Sequence, residues 1–181
     1  MRPWKLFKRD PVSAEATRLY DAIVSQARRP DFYAAGGVPD SIDGRFEMIA
    51  LHAYLVLRRL RAVGGAAEPL AQALVDALFA DLDASLREMG AGDLGVGRRV
   101  KRMATAFYGR IGAYEASENK GGMQQALARN LFGTVEPQSG QLAAMACYVE
   151  AAQSALAMQS LPEIIAARLN FPVPDFAMGA K

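Results

Sequence analysis

One cysteine, Cys147, and one histidine, His52, are all this chain has of the two side chains that most often form reactive centres or hold transition metals. A lone cysteine excludes an internal disulfide and any cysteine-based metal cage, in keeping with a reducing compartment. Its helical, apolar neighbours make Cys147 read as a buried small hydrophobe rather than a nucleophile. A lone histidine leaves no convincing Ser/His/Asp or Cys/His set, so no catalytic residue is assigned. No uncharged apolar run approaches the roughly 20 residues of a membrane-spanning helix. The longest candidate, Met48 to Leu57, contains His52 and stops at Arg58-Arg59. Strand-like alternation, hairpin signals, internal repeats and low-complexity tracts are also missing. The formal net charge is only +2, so the molecule as a whole is not built to bind a polyanion, and no DNA partner is expected.

What is present is a chain of 181 residues, 51% of them hydrophobic, long enough for one domain with a sizeable core. Residues 1–12 form a basic, mobile segment with no signal-peptide h-region, so the protein is read as not exported. Trp4, Leu6 and Phe7 lie there among Arg2, Lys5, Lys8 and Arg9. They suit either a solvated terminus or a peripheral contact with an anionic membrane. Residues 13–170 read as a helical domain and 171–181 as an extended tail. Ser13 is the expected N-cap of a first helix with Ala16, Leu19, Tyr20, Ile23, Val24 and Ala27 on its inner face. Residues 31–44 hold Gly36, Gly37, Pro39 and Gly44 and are expected as an ordered loop or hinge.

A second helix near Arg45 to Val63 is apolar on most sides, as a central helix would be. A third spans about Ala67 to Met89 with Gly90 as its stop, and Asp93 is the expected cap of a fourth whose stripe runs Val96, Val100, Met103, Phe107, Ile111, Tyr114. Met123, Leu127 and Leu131 mark a shorter helix. Leu142, Met145, Val149, Ala152 and Leu156 mark a longer one with Pro162 near its end, and a last turn covers Glu163 to Leu169. In the tail, Pro172 and Pro174 favour extended chain, with Phe171 and Phe176 able to pin it to the body. The expected fold is all-α, a single irregular bundle of about six or seven helices with an extended C-terminal tail.

Arg45, His52 and Arg59 recur every seven residues, which returns each to within about 20° of one line on a helix. They read either as a solvated face with an ordinary histidine hydrogen bond or as a cationic recognition surface. Arg98, Arg99, Lys101 and Arg102, with Arg110 further along, lie opposite the fourth helix's apolar stripe. That face suits ribosomal RNA, anionic lipid or an acidic partner, or simply solubility. Asp76, Asp81 and Asp83 do not make a metal site, because Asp81 sits about 140° from Asp76 and no second aspartate-rich motif accompanies them. Asp40 and Asp43 read as turn and capping carboxylates rather than an acid/base pair. Phe107, Tyr108, Gly109 and Arg110 read equally as a partner groove or a core helix crossing.

The runs FYAAGGVPDSIDGRFEMIALHAYLVLRRL and LFADLDASLREMGAGDLGVGRRVKRMATAFYGR resemble the bacterial form of the ubiquinol-cytochrome c chaperone family, over about Tyr20 to Tyr114. Mitochondrial members are similar at Phe46, Leu51-His52, Arg59-Leu60, Phe79 and Asp81, and a bacterial form is expected to do without their transit peptide and long N-terminal extension. The resemblance implies a non-enzymatic assembly chaperone that binds newly made cytochrome b and supports assembly of respiratory complex III, with no cofactor or metal. It further implies the ribosome or a small co-chaperone as additional partners, and a bacterial cytoplasmic location at the inner face of the inner membrane with peripheral membrane contact. Asp40, Asp43, Arg45, His52, Arg59, Arg87 and Asp93 are the client-binding candidates, and Arg98, Arg99, Lys101, Arg102 and Arg110 the ribosome or acidic-partner face. Two other readings stay open: an all-α carrier of haem or an isoprenoid, and a ribosome-binding adaptor.

Overall fold

The computed structural model describes residues 11–88, 93–118, 122–138 and 140–176, with the side chains of residues 93–96 and 118 outside that description. Within them the chain folds as α1 (Pro11–Ala27), α2 (Pro30–Ala34), α3 (Ile42–Val63), a 3-10 turn (Gly65–Ala67), α4 (Glu68–Glu88), α5 (Asp93–Glu118), α6 (Met123–Asn130), α7 (Gln141–Met158) and α8 (Leu161–Ile165). The expected last turn over Glu163 to Leu169 appears as α8, two residues earlier at its start, and the one helix with no expected counterpart is α2; both have five residues. A segment as short as α2 carries too little periodicity to be seen in sequence.

Every residue from Glu47 to Leu57 is buried, so the middle of α3 has no solvent face. Helices α1, α4, α5 and α7 surround it; α1 also lies along α4, and α6 bridges α5 and α7. The inner faces are those the periodicity marked: Leu19, Ile23, Leu74, Leu78, Phe107, Ile111, Tyr114, Leu127, Met145, Val149 and Leu156 all join one apolar cluster. Each such side chain contributes on the order of 1.5–3 kcal/mol by leaving water.

Several local expectations change. Helix α1 begins at Pro11, and Ser13 lies inside it, its carbonyl accepting the Thr17 hydroxyl at 2.9 Å. Proline suits a first helical turn because its missing N–H would be unpaired there anyway. The expected 31–44 loop contains α2, entered through Pro30. The cap of α3 is neither aspartate: Ser41 Oγ accepts from Gly44 N at 3.1 Å, while Asp40 pairs with Arg45. Pro162 does not close α7 but sits in the first turn of α8, whose capping box joins Ser160 and Glu163. Gly90 and Met89 lie outside the described residues, as does the Asp93 side chain.

Gly64 and Gly44 are among the glycines that the geometry requires. Gly64 ends α3 at φ +80°, its N–H shared by the Leu60 and Arg61 carbonyls. Gly44 admits the Pro39 carbonyl against its Cα, where a β-carbon would collide with backbone. Of the tail, residues 171–176 form neither helix nor strand and lie against the body, with Phe171 edge-on to His52 at 5.1 Å and Phe176 edge-on to Phe32 at 6.0 Å.

Gly44 and Gly109 therefore should respond oppositely to alanine. Gly44→Ala forces the α3 entry apart and lowers unfolding free energy by about 1–3 kcal/mol. Gly109→Ala, in an exposed helical position with open space around it, raises it by about 1 kcal/mol. Urea unfolding of the two variants beside the wild type measures both; equal effects would contradict the geometry of the turn.

Candidate functional site

The heptad spacing of Arg45, His52 and Arg59 does not produce one exposed stripe, because α3 is enclosed on all sides where His52 falls. His52 is fully buried. Its Nδ1 lies 2.8 Å from the Met48 carbonyl and its Nε2 2.7 Å from the Tyr148 hydroxyl. A carbonyl only accepts, so the partners put the proton on Nδ1 and make Nε2 the acceptor of the Tyr148 O–H. Tyr148 in turn accepts from Gln26 Nε2 at 3.0 Å. Burial holds the His52 pKa down at about 4, against a smaller upward pull from the Met48 carbonyl. His52 is a neutral structural group, not a surface cation.

Arg59 is half-buried and donates through Nη2 to the Gln159 carbonyl at 2.6 Å, at the C-terminal end of α7. A guanidinium at that helix end also faces the favourable pole of the helix dipole. Arg45 alone of the three is exposed. It pairs with Asp40, Nε to Oδ1 at 2.7 Å, and the bond draws the Asp40 carboxyl below its usual range.

Arg45 and Asp40 border a cleft of about 550 Å³ lined also by Arg28, Pro30, Tyr33 and Ala34. Tyr33 donates its hydroxyl to the Ala27 carbonyl at 2.8 Å, which fixes its ring as one wall. Burial raises the Tyr33 pKa, with Arg45 and Arg28 both near enough to pull it down. The cleft thus presents two guanidiniums, one carboxylate and a phenol ring. Arg28 and Tyr33 went unrecognised in the sequence; the signal available was a basic pair directly before Pro30 followed by Phe32-Tyr33.

Asp43 is exposed near the same end of α3, within electrostatic reach of Arg110. Arg110 itself does not belong to a partner-facing row. It grips Glu47 with Nε at 3.0 and 2.9 Å and Nη2 at 2.5 Å from the carboxylate, and the Glu47 side chain is 8% exposed. This double hydrogen bond raises the Arg110 pKa further above its ordinary value. Sequence reasoning missed Glu47 because it sits in an apolar run, where a carboxylate only makes sense once its partner is known.

Arg98, Arg99, Lys101 and Arg102 are exposed, and among the described residues none forms an ion pair. Arg87, at the far end of α4, pairs with Asp83 at 2.7 Å. Asp81 accepts the Tyr20 hydroxyl at 2.8 Å and Asp76 accepts from Gln72. Among the described residues no three His, Cys, Asp or Glu side chains are grouped as a metal site. Phe107 is core, edge-on to Phe79 at 5.7 Å, while Tyr108 stays 53% exposed. Cys147 is exposed, not buried. Cys147 lies off the Met145, Val149, Ala152, Leu156 stripe that turns inward, about 200° from Met145 at 100° per residue, so apolar neighbours were the wrong guide to its burial. No described helix is long and apolar enough to cross a membrane.

Residues 34–171, which carry most of this framework, match the family model described as Ubiquinol-cytochrome C chaperone. The chain belongs to that family, a family of complex III assembly factors. The crystal structure of the Cbp3 homolog from Brucella abortus is similar over 93% of each chain, with 36% sequence identity and a TM-score of 0.78. The Ubiquinol-cytochrome-c reductase complex assembly factor 1 of Xenopus laevis is 22% identical over 104 residues, 58% of this chain and 52% of that protein. This chain therefore spans about half the length of that curated relative.

The buried histidine gives a pH dependence with a definite sign. Its folded pKa lies below the unfolded value of about 6.5, so the unfolded chain takes up a proton the native state refuses as pH falls through that window. Stability is full above pH ~6.5 and declines toward pH 4, with about 2–3 kcal/mol lost by pH 4.5. His52→Gln should shrink the difference between urea unfolding at pH 7 and pH 4.5; an unchanged difference would mean that His52 is not the titrating group.

Arg110→Ala leaves the Glu47 carboxylate buried without its cation and should cost about 3 kcal/mol. Combining it with Glu47→Met should recover most of that loss in thermal unfolding. Additive losses in the double variant would show that the pair is not the source.

Proposed function

We propose that this chain is a non-enzymatic chaperone that holds newly made cytochrome b and delivers it into complex III assembly. Membership of the family supports the assembly role, and the cleft of Arg28, Tyr33, Asp40 and Arg45 is the observation that carries a binding site. A holding protein needs exposed groups that engage a partner reversibly and has no use for a reactive centre. The cleft offers an aromatic wall for apolar contact and guanidiniums whose fork geometry fits carboxylates. Asp43, at the same end of α3, extends the client surface in this reading; Arg59 contributes by fixing α7, Arg87 is a further candidate at the end of α4, and the side chain of Asp93, the remaining candidate, lies outside the described residues.

The exposed cations Arg98, Arg99, Lys101 and Arg102 form a separate face, which we assign to an acidic co-chaperone or to ribosomal RNA during client synthesis. The site of action in this reading is the bacterial cytoplasm at the inner face of the inner membrane, where the apolar client emerges.

Affinity capture of the tagged full chain from gently solubilised cells, with cytochrome b quantified, tests the reading. Wild type should enrich cytochrome b, and Arg28→Ala/Arg45→Ala, which removes both guanidiniums of the cleft, should reduce it by about tenfold or more, since one lost interfacial charge contact already has that scale. Enrichment unchanged in the folded double variant moves the site away from the cleft. Absence of cytochrome b with a visible-range chromophore or an isoprenoid bound to the purified protein replaces the chaperone with a carrier.

A further inference from the structure

Five aromatic rings meet where the tail crosses the bundle. Phe32 of α2 is edge-on to His52 at 5.3 Å and to Tyr148 of α7 at 4.9 Å. Phe171 covers His52, and Phe176 covers Phe32 and lies against Gly36, where a β-carbon would stand 2.8 Å from its ring. The floor of this slot belongs to three helices and is polar underneath through the Tyr148 to His52 hydrogen bond. Its cover, residues 170–176, belongs to no helix.

The cover is attached at scattered points, Asp175 among them. Asn170 N donates to Gln159 Oε1 at 2.9 Å, and Gln26 Nε2 reaches the Pro172 carbonyl only at 3.4 Å. Pro172 and Pro174 have no N–H to donate, Val173 is 72% exposed, and both Phe171 and Phe176 are only partly buried. A segment held by two aromatic side chains, a buried Pro174 and an interaction of Asp175, and not by strand pairing, opens at lower cost than the global fold. The proline spacing also keeps it extended beforehand, which reduces the entropy of seating such a segment.

We propose that the Phe32/His52/Tyr148 slot is a docking surface for an extended segment of an incompletely folded partner carrying two aromatic side chains about five residues apart, and that residues 170–176 are the built-in occupant which such a segment displaces. The proposal rests on the chaperone reading for its partner and names the chemistry that partner must supply. Aromatic edges fit the slot at two points, and alternate positions face solvent, so the tail's own sequence is the template. Because the tail occupies the slot, an external segment binds the intact chain more weakly by the fraction of time the slot is open.

The single histidine in the chain, lying beneath the cover, is an unambiguous reporter. The test uses the full chain, a variant ending at Leu169, and full-length Phe171→Ser/Phe176→Ser. A synthetic peptide of the sequence LNFPVPDFAM serves as probe beside the same peptide with both phenylalanines replaced by serine. His52 modification by diethyl pyrocarbonate, mapped by mass spectrometry, should accelerate about tenfold or more in both variants relative to the full chain. The phenylalanine peptide should bind the shortened chain about 10- to 100-fold more tightly than the full chain and restore protection of His52. Equal binding of the serine peptide, no binding to the folded shortened chain, or loss of the helical fold in both variants would each overturn the proposal, the last by showing that the tail is part of the core. Cytochrome b capture without peptide binding defeats the slot alone, and peptide binding without cytochrome b capture defeats the chaperone reading alone.

Discussion

The hydrogen bond between Tyr148 and His52 is the constraint around which the bundle is arranged. An imidazole in the middle of a helix that has no solvent face is costly unless both nitrogens are satisfied. One nitrogen is satisfied within α3 by Met48, but the other needs a donor from outside, and only α7 at one rotation and register brings the Tyr148 hydroxyl to 2.7 Å. Gln26 then ties the same hydroxyl to α1. Three helices are thereby fixed around one polar chain, where apolar packing alone would tolerate small rotations. Phe32 packs on both rings, so the position of α2, and with it Tyr33 and the cleft, follows from the same pair.

Around that centre, polar cross-links radiate from α3 to its neighbours. Glu47 holds Arg110 on α5, Arg61 pairs with Glu115 further along the same helix, and Arg59 holds the end of α7. Three of the chain's arginines thus serve architecture. Among the arginines left at the surface, two groups stand apart. One is at the cleft beside α2, and the other is the exposed row Arg98, Arg99, Lys101 and Arg102 of α5.

Amphipathic periodicity made α1, α4 and α5 legible because each has one wet and one dry face. The same logic failed for α3, since a heptad line on an enclosed helix says nothing about exposure, and His52 was placed on the wrong side of that division. Cys147 was misjudged for another reason: α7 is apolar around most of its circumference, so apolar neighbours suggested burial, whereas the stripe of Met145, Val149, Ala152 and Leu156 leaves Cys147 on the other side. The cleft was half legible. Asp40 and Arg45 stood out as a turn carboxylate and a helix cation, whereas Arg28 and Tyr33 join them only through the folding back of α2, a helix too short to announce itself. The two runs between Phe32 and Tyr114 identified the family, but a family resemblance carries no map of which charged residues face water.

The cleft and the aromatic slot share one physical property, which is that each is already satisfied within the chain. Arg45 faces Asp40, so an incoming carboxylate must compete with a resident one and gains only the difference. The aromatic slot holds Phe171 and Phe176, so an incoming ring replaces a ring. Net affinity in each case is the small excess of the partner's contacts over the internal ones, which favours exchange over retention. In the holding role proposed above, that balance would give release without a separate energy source: a client that buries its own segments elsewhere would leave the internal contacts to close again.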